Sequence, residues 1–295
     1  MDITAAMVKE LRQRTGAGMM ECKKALVQND GDIETAIDWM RKEGVMKAEK
    51  KSGRVAAEGA VCLAVDENSA MGILLEINSE TDFVANGEQF QTFAKAVAQL
   101  SLSEKVGDLE VLKNLLFDAS STVEQQRKEL VAKVGENIAL RRVVCVRSEH
   151  GPLGAYLHGR RIGVLVAMKG GDQELAKDMA MHIAASSPLC VSPEDVPEEL
   201  VAREKEVFLS QAQSSGKPQN IIDKMVEGRL RKFLVEISLV GQSFVKDPDQ
   251  SVGDVLKTAG AEVEQFVRFE VGEGIEKRES DFAAEVMAQV HVQQD

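Results

Sequence analysis

A chain of 295 residues, 44% of them apolar, can bury a sizeable core spread over about two domains. Its net charge of −12 and its 4% aromatic content argue against a nucleic-acid binder built on stacking platforms or a broad basic face. No stretch approaches the ~20 apolar residues of a membrane span, and the N-terminus lacks the apolar core of a signal peptide, so a soluble, cytoplasmic protein is expected.

Thr4 is a candidate N-cap, and Met7, Val8 and Leu11 follow at helical spacing. The sequence "TGAG" breaks that helix, and "MMECKKALVQN" starts a second, with Met19, Cys22, Ala25 and Leu26 on one face. Asp32 then caps a third, with Ile33, Ala36, Ile37 and Met40 as its apolar stripe and Gly44 expected to close it. "KAEKKSGRVAAEG" reads as a charged linker with Lys47, Lys50, Lys51 and Arg54 in solvent. The period then changes. "AVCLAVD" alternates, with Val61, Leu63 and Val65 on one side, and "MGILLEIN" returns as the second arm of a hairpin. An acidic tip, "SETDFVANGE", leads into a helix carrying Phe90, Phe93, Ala94, Val97 and Leu100. More helix-like sequence runs from Leu109 to Lys133, and "IALRRVVCVRSE" is a closing strand.

"GAYLHGRRIGVLVAMKGG" and "QELAKDMAMHIAASS" repeat the order strand, turn, strand, helix, which suggests a diverged internal repeat. Gly72 to Phe93 spans more residues than Gly163 to Leu175, so the "SETDFVANGE" tip is surplus to joining a strand to a helix. The second copy is interrupted by an αα-hairpin in which Leu200, Val207 and Phe208 are expected to face Ile221, Ile222, Met225 and Leu230. A strand, "VEQFVRFEVGEG", and a last amphipathic helix, "SDFAAEVMAQV", follow.

The usual catalytic signatures are missing. The sequence holds neither a phosphate-loop nor a dinucleotide fingerprint, and no nucleophile elbow. Cys22, Cys62, Cys145 and Cys190 form no C-x-x-C pair and read as small buried hydrophobes. His150, His158, His182 and His291 show no metal-ligand spacing. His182 reads as a helix histidine partly covered by packing, and His158 as a side chain displayed at a hairpin turn.

"VKELRQRTGAGMMECKKAL", "SETDFVA", "KVGENIALRR", "HGRRIGVLV", "AMHIAAS", "MVEGRLRKF" and "RFEVGEGIEK" occur in order over nearly the whole chain. In these words the sequence resembles the bacterial elongation factor Ts family, the guanine-nucleotide exchange factors of elongation factor Tu. The resemblance implies an α+β fold without cofactor, metal or intrinsic catalysis. It divides the chain into a ubiquitin-associated-like (UBA-like) three-helix module at 1–54, a first core subdomain at 55–151, a second at 152–190 and 239–274, a helical hairpin at 191–238 and a C-terminal module at 275–295.

The same resemblance implies that Thr81, Asp82, Phe83 and Val84 enter the partner near its magnesium site, with Phe83 as a wedge. It places His158 and Gly159 near the phosphate side, with Val134 and Gly135 as a further contact. Val8, Leu11, Arg12, Met19, Met20 and Lys23 match the surface that grips the partner. Neighbours on a helix diverge, so of Met19 and Met20 one is expected in the core and the other exposed. Glu80 stands where some family members carry Gln, and Arg160 adds a cation to the turn. Two readings compete: an adaptor indifferent to nucleotide state, and a hydrolase seeded on His158. For Phe83 the competing role is a staple onto the following helix. The resemblance leaves a homodimer or a heterotetramer with the partner open, and implies no direct contact with nucleic acid or membrane.

Overall fold

The computed structural model describes residues 3–214 and 218–276. The expected last helix, 280–290, lies outside them, as does most of the expected C-terminal module. The chain opens with helices α1 (Ala5–Thr15), α2 (Met19–Gln28) and α3 (Ile33–Lys51), then strands β1 (Glu58–Val65) and β2 (Met71–Ser79). A short helix α4 (Asp82–Asn86) precedes α5 (Glu88–Ser103), α6 (Leu109–Asn114), α7 (Val123–Val134) and strand β3 (Ile138–Arg147). The second half runs β4 (Leu153–His158), β5 (Ile162–Lys169), α8 (Gln173–Ser186), α9 (Glu198–Gln213) and α10 (Gln219–Ile237). It ends with β6 (Ser243–Phe244), β7 (Asp247–Ser251), α11 (Val252–Thr258) and β8 (Glu262–Glu270). The fold is α+β, with small antiparallel sheets covered by helices.

Local signals explain the first three helices. The Thr4 hydroxyl accepts the Met7 N–H, Gly16 ends α1 at φ +67°, and Asp32 caps α3 by accepting the Thr35 N–H. Val8, Leu11, Cys22, Ala25, Leu26 and Ala36 form their core. The expected stop at Gly44 is wrong: α3 runs on to Lys51. Gly44 faces α7, where a Cβ would come within 3.2 Å of the Ala132 Cβ. The glycine thus permits a close helix crossing and does not terminate anything. Residues 47–51 of the charged "linker" are accordingly the last turn of a packed helix. Lys51 donates to the Gly135 carbonyl, and Lys128 reaches Glu49 at 3.3 Å. Lys50 is exposed, while the Lys47 side chain is not described. The helix-like run from Leu109 also differs, being divided into α6 and α7 by residues 115–122.

The sheets have the orders β1-β2-β3 and β4-β5-β8. Every residue of β2 is buried, because its sheet is covered on one face by α5 and α7 and on the other by the second sheet. Alternation along β1 sorts its side chains: Ala60, Cys62 and Ala64 lie toward the helices, whereas Val61, Leu63 and Val65 join the layer between sheets. Leu74, Val146, Leu153, Leu165 and Phe269 complete that layer.

The two sheets meet through a reciprocal pair of contacts. A Cβ on Gly72 would lie 2.7 Å from Leu165 Cδ2, and one on Gly163 would lie 2.8 Å from Leu74 Cδ2. Each sheet's glycine therefore receives the other sheet's leucine. The pairing register shifts between Glu76 and Ile77 in β2, and between Ala167 and Met168 in β5, at the same distance beyond each glycine. After each central strand comes a covering helix, α5 or α8.

Helices α9 and α10 form the expected hairpin, with Phe208 and Ile222 in its seam as expected. Phe208, Leu209 and Ala212 meet Ile222 and Val226, while Val207 and Ile221 are exposed. The seam follows the 3.6-residue period inward from the hairpin's closed end.

Candidate functional site

The tip after β2 is braced from beneath. Thr81 caps α4: its hydroxyl accepts the Val84 N–H at 3.4 Å and donates to Glu136 at 2.8 Å. The same carboxylate accepts the Thr81 N–H at 3.0 Å. The Ser79 hydroxyl donates to the Thr81 carbonyl. Ala85 and Val84 turn inward onto the core of the first sheet, so the opposite face of this short helix must turn outward. That face carries Asp82 and Phe83. Asp82 is exposed, and Phe83 is 86% exposed, the most exposed large apolar side chain among the described residues. The staple role for Phe83 is therefore excluded. The packing of α4 is done by its neighbours.

Glu80 does not share the tip's outward face. Its half-buried carboxylate accepts the Asn137 N–H at 2.6 Å and pairs with Arg54 at 3.5 Å. The Asn137 amide donates in turn to the Ser52 and Arg54 carbonyls. Glu80 thus fastens the tip's base to the end of α3 and the start of β3.

Val134 and Gly135 end α7 directly beneath this base. Val134 is half-buried against the core, and Gly135 takes φ +84°, the left-handed turn that frees Glu136 to reach Thr81. Next to the tip lies the β4–β5 turn carrying His158 and Gly159, both exposed. His158 Nδ1 is 3.1 Å from the Tyr156 hydroxyl. The Arg160 carbonyl accepts the Val61 N–H at 2.9 Å, which ties this turn of the second sheet to the first. The Arg160 guanidinium donates to the Asn86 side-chain carbonyl at 2.6 Å. The structure therefore brings together Thr81–Val84, Val134–Gly135 and His158–Gly159, which lie far apart in the chain.

The N-terminal helices divide the remaining candidates. Val8 and Leu11 are core residues and offer no free surface, a correction to their place on a gripping face. Their i, i+3 spacing put them on the buried stripe. Arg12 and Lys23 are exposed. Met19 and Met20 are 60% and 76% exposed, so neither enters the core. The first turn of α2 overhangs the small core, and Cys22 is its first buried residue.

Buried titratable groups elsewhere have structural partners. His182 is fully buried, and burial lowers its pKa against the raising effect of Gln242. Its Nε2 faces the Gln242 carbonyl oxygen at 3.0 Å and its Nδ1 accepts the Val245 N–H at 3.2 Å, the pattern of a neutral ring. Burial pushes the Cys62 thiol up to about 11. Among the described residues, no group of three or more His, Cys, Asp and Glu side chains is placed to hold a metal ion. No described helix is long and apolar enough to cross a membrane.

The exposed Phe83 thus stands on an acidic tip braced at its base, beside the displayed histidine turn. The family model described as elongation factor TS matches residues 80–273, beginning at this tip. The elongation factor Ts of Methylococcus capsulatus is 59% identical over 98% of this chain and 99% of its own length. That of Halorhodospira halophila is 58% identical over the same shares, and that of Legionella pneumophila (strain Lens) 56% identical over 98% of each. The chain belongs to the elongation factor Ts family. This membership makes it a translation elongation factor of protein biosynthesis, in a family of guanine-nucleotide exchange factors. The N-terminal helices lie outside the family model's match but within the full-length likeness to these elongation factor Ts relatives.

Sequence reasoning missed Glu136, Asn86 and Arg160 as members of the site. Glu136 had one local signal, a carboxylate just after a helix-ending glycine. The Arg160–Asn86 contact had none, since its two residues belong to different sheets' connections.

Proposed function

We propose that this chain binds the GDP-bound form of elongation factor Tu and accelerates GDP release, stabilising the nucleotide-free partner until GTP binds. The observation that carries the reading is the exposed Phe83 on a tip fastened at its base. A wedge must be apolar, uncovered and unable to swing back onto its own core, and Phe83 meets all three demands.

Release is accelerated only by a protein that prefers the emptied or distorted partner to the loaded one. The coupling is reciprocal, so nucleotide must also expel the exchange factor. A shift of about 10⁴-fold needs about 5.5 kcal/mol of differential binding. A fully buried Phe supplies roughly 1.5–3 kcal/mol. Phe83 therefore acts with a wider surface. In this reading Asp82 sets a carboxylate against the polar network around the partner's magnesium, and Val84 and Thr81 hold the tip's shape. His158 and Gly159 press on the phosphate side, backed by Val134 and Gly135. Arg12, Met19, Met20 and Lys23 grip the nucleotide-binding domain, with Val8 and Leu11 supporting them from the module's core. No side chain performs covalent chemistry.

We assign the chain a cytoplasmic location and the division given above: a UBA-like module at 1–54, core subdomains at 55–151 and at 152–190 with 239–274, a hairpin at 191–238 and a C-terminal module at 275–295. Support for the two subdomains comes from the reciprocal glycine and leucine contacts of the sheets. The deciding experiment is stopped-flow release of fluorescent GDP from elongation factor Tu. A concentration-dependent acceleration is expected, and an unchanged rate sinks the proposal. A complex that persists in excess GDP with magnesium would favour the adaptor reading instead.

A further inference from the structure

We infer that Arg160 is a positioning residue that clasps the Phe83 tip to the second sheet. The inference rests on the exchange reading and adds to it a residue that touches no nucleotide.

The geometry has three parts. First, the turn that carries Arg160 is itself fixed. The Arg160 carbonyl accepts the Val61 N–H at 2.9 Å, the Arg161 guanidinium meets Glu58 at 3.0 Å, and the Arg161 carbonyl accepts the Val271 N–H at 2.8 Å. Second, from this anchored turn the Arg160 side chain crosses to Asn86, the last residue of α4, at 2.6 Å. A guanidinium only donates, so the side-chain oxygen of Asn86 must face it, and the bond is charge-assisted. Third, α4 is held at its other end by Glu136 through Thr81. Val84 and Ala85 seat this five-residue helix on the core, and Gln91 donates to the Ala85 carbonyl. The bonds at Thr81 and at Asn86 add a fastening at each end, which narrows the direction in which Phe83 points.

The two fasteners come from different halves of the molecule. Glu136 belongs to the connection before β3 in the first sheet, and Arg160 to the turn of the second. Arg160 also follows His158 and Gly159 directly. The clasp therefore fixes the distance between the tip and the histidine turn, the two features proposed to enter the partner together.

The test combines a local readout with a functional one. For the local readout, Phe83→Trp in a Trp39→Phe background gives one tryptophan, at the tip. Arg160→Ala and Asn86→Ala should each lower its time-resolved anisotropy, and Arg160→Lys should restore part of it. No partner is needed, so this arm still reads the clasp if the exchange reading fails. For the functional readout, GDP release from elongation factor Tu is measured at saturating exchange factor. Arg160→Ala should slow it roughly fivefold, the scale of one partly exposed charge-assisted hydrogen bond. The concentration giving half-maximal rate should move less. In a Phe83→Ala background the same substitution should cost almost nothing, because nothing remains to be positioned. Unchanged anisotropy overturns the clasp. Full additivity with Phe83→Ala also overturns it, since Arg160 would then be touching the partner itself. A wild-type chain that leaves GDP release unaltered would sink the exchange reading, a failure the anisotropy arm does not register.

Discussion

The β2-to-α5 and β5-to-α8 connections occupy corresponding places in two corresponding sheets, and they differ in almost every other respect. The second needs only residues 170–172: Gly170 and Gly171 turn the chain at φ +70° and +76°, and Asp172 caps α8 by accepting the Leu175 N–H. The first takes residues 80–87 and includes a helix of its own. The short connection shows what joining the strand to its covering helix requires. The long one adds, besides Val84 and Ala85 packed on the core, an outward face that carries Asp82 and Phe83. Its cost is an exposed Phe in water, which selection for stability alone would not retain.

The most forceful way to break this comparison is Phe83→Ala. The tip residue should matter to the partner and not to the fold. GDP release should slow roughly 30-fold, the equivalent of a 2 kcal/mol hot spot. The urea midpoint should stay where it is. A shifted midpoint with unaltered release would make the tip part of the fold after all.

A second test uses the bulges. Glu76 and Ala167 precede the matching register shifts, but only Glu76 is charged. It is fully buried, accepts the Gly272 N–H at 2.8 Å, and binds Arg141 and Arg142 at 2.9 and 2.6 Å. Glu76→Gln turns an amide N–H toward donors and should cost about 2 kcal/mol, discounted from a fully buried pair because both guanidiniums reach water. Burial alone would raise the Glu76 pKa, but the Gly272 N–H and the two guanidiniums outweigh it and hold it below the ordinary 4.5. The contribution is therefore complete above about pH 4.5. It is lost as the pH falls below that value and through the lower folded pKa. Acid unfolding followed by circular dichroism should be less steep in Glu76→Gln than in wild type over that window. Equal slopes would leave Glu76 without this role.

The correspondence itself is sharpened by Gly72→Ala and Gly163→Ala. Each adds a methyl among buried side chains of the opposite sheet, Leu165 and Leu153 for Gly72 and Val61 and Leu74 for Gly163, so each should cost about 1–3 kcal/mol. Chemical denaturation should give similar losses for both. A loss confined to one would show that the contact between sheets is not reciprocal.

The smallest effect is expected for Glu80→Gln. The variant keeps an oxygen for the Asn137 N–H and loses only the pairing with Arg54, worth about 0.5 kcal/mol or less at a partly exposed site. GDP release should stay within about twofold. A larger change would mean that the Glu80 charge acts on the partner and not on the tip's base.

Much of this molecule was legible in the chain, for physical reasons that differ by feature. Helices and strands followed from period: Val61, Leu63 and Val65 do share one face, and Thr4, Asp32 and Gly16 act locally as caps and stop. The surplus length of the Phe83 connection could be read by aligning Gly72 with Gly163. The tip itself could be picked out because "SETDFVA" is one contiguous stretch of sequence.

Tertiary structure decided what depends on a neighbour brought from elsewhere in the chain. Gly44 reads alike as a helix stop or a helix crossing until Ala132 is in place. Met19 and Met20 follow one another on α2, and only the small size of the core leaves both outside it. Glu80 and Asp82 are both acidic residues of one tip. One is turned inward by Asn137 and Arg54, and the other is left facing solvent. Local sequence sets backbone preference and side-chain period, so it determined the elements and the tip. Direction and burial are set by contacts across the fold, and those made the tip a fixed, outward-facing one.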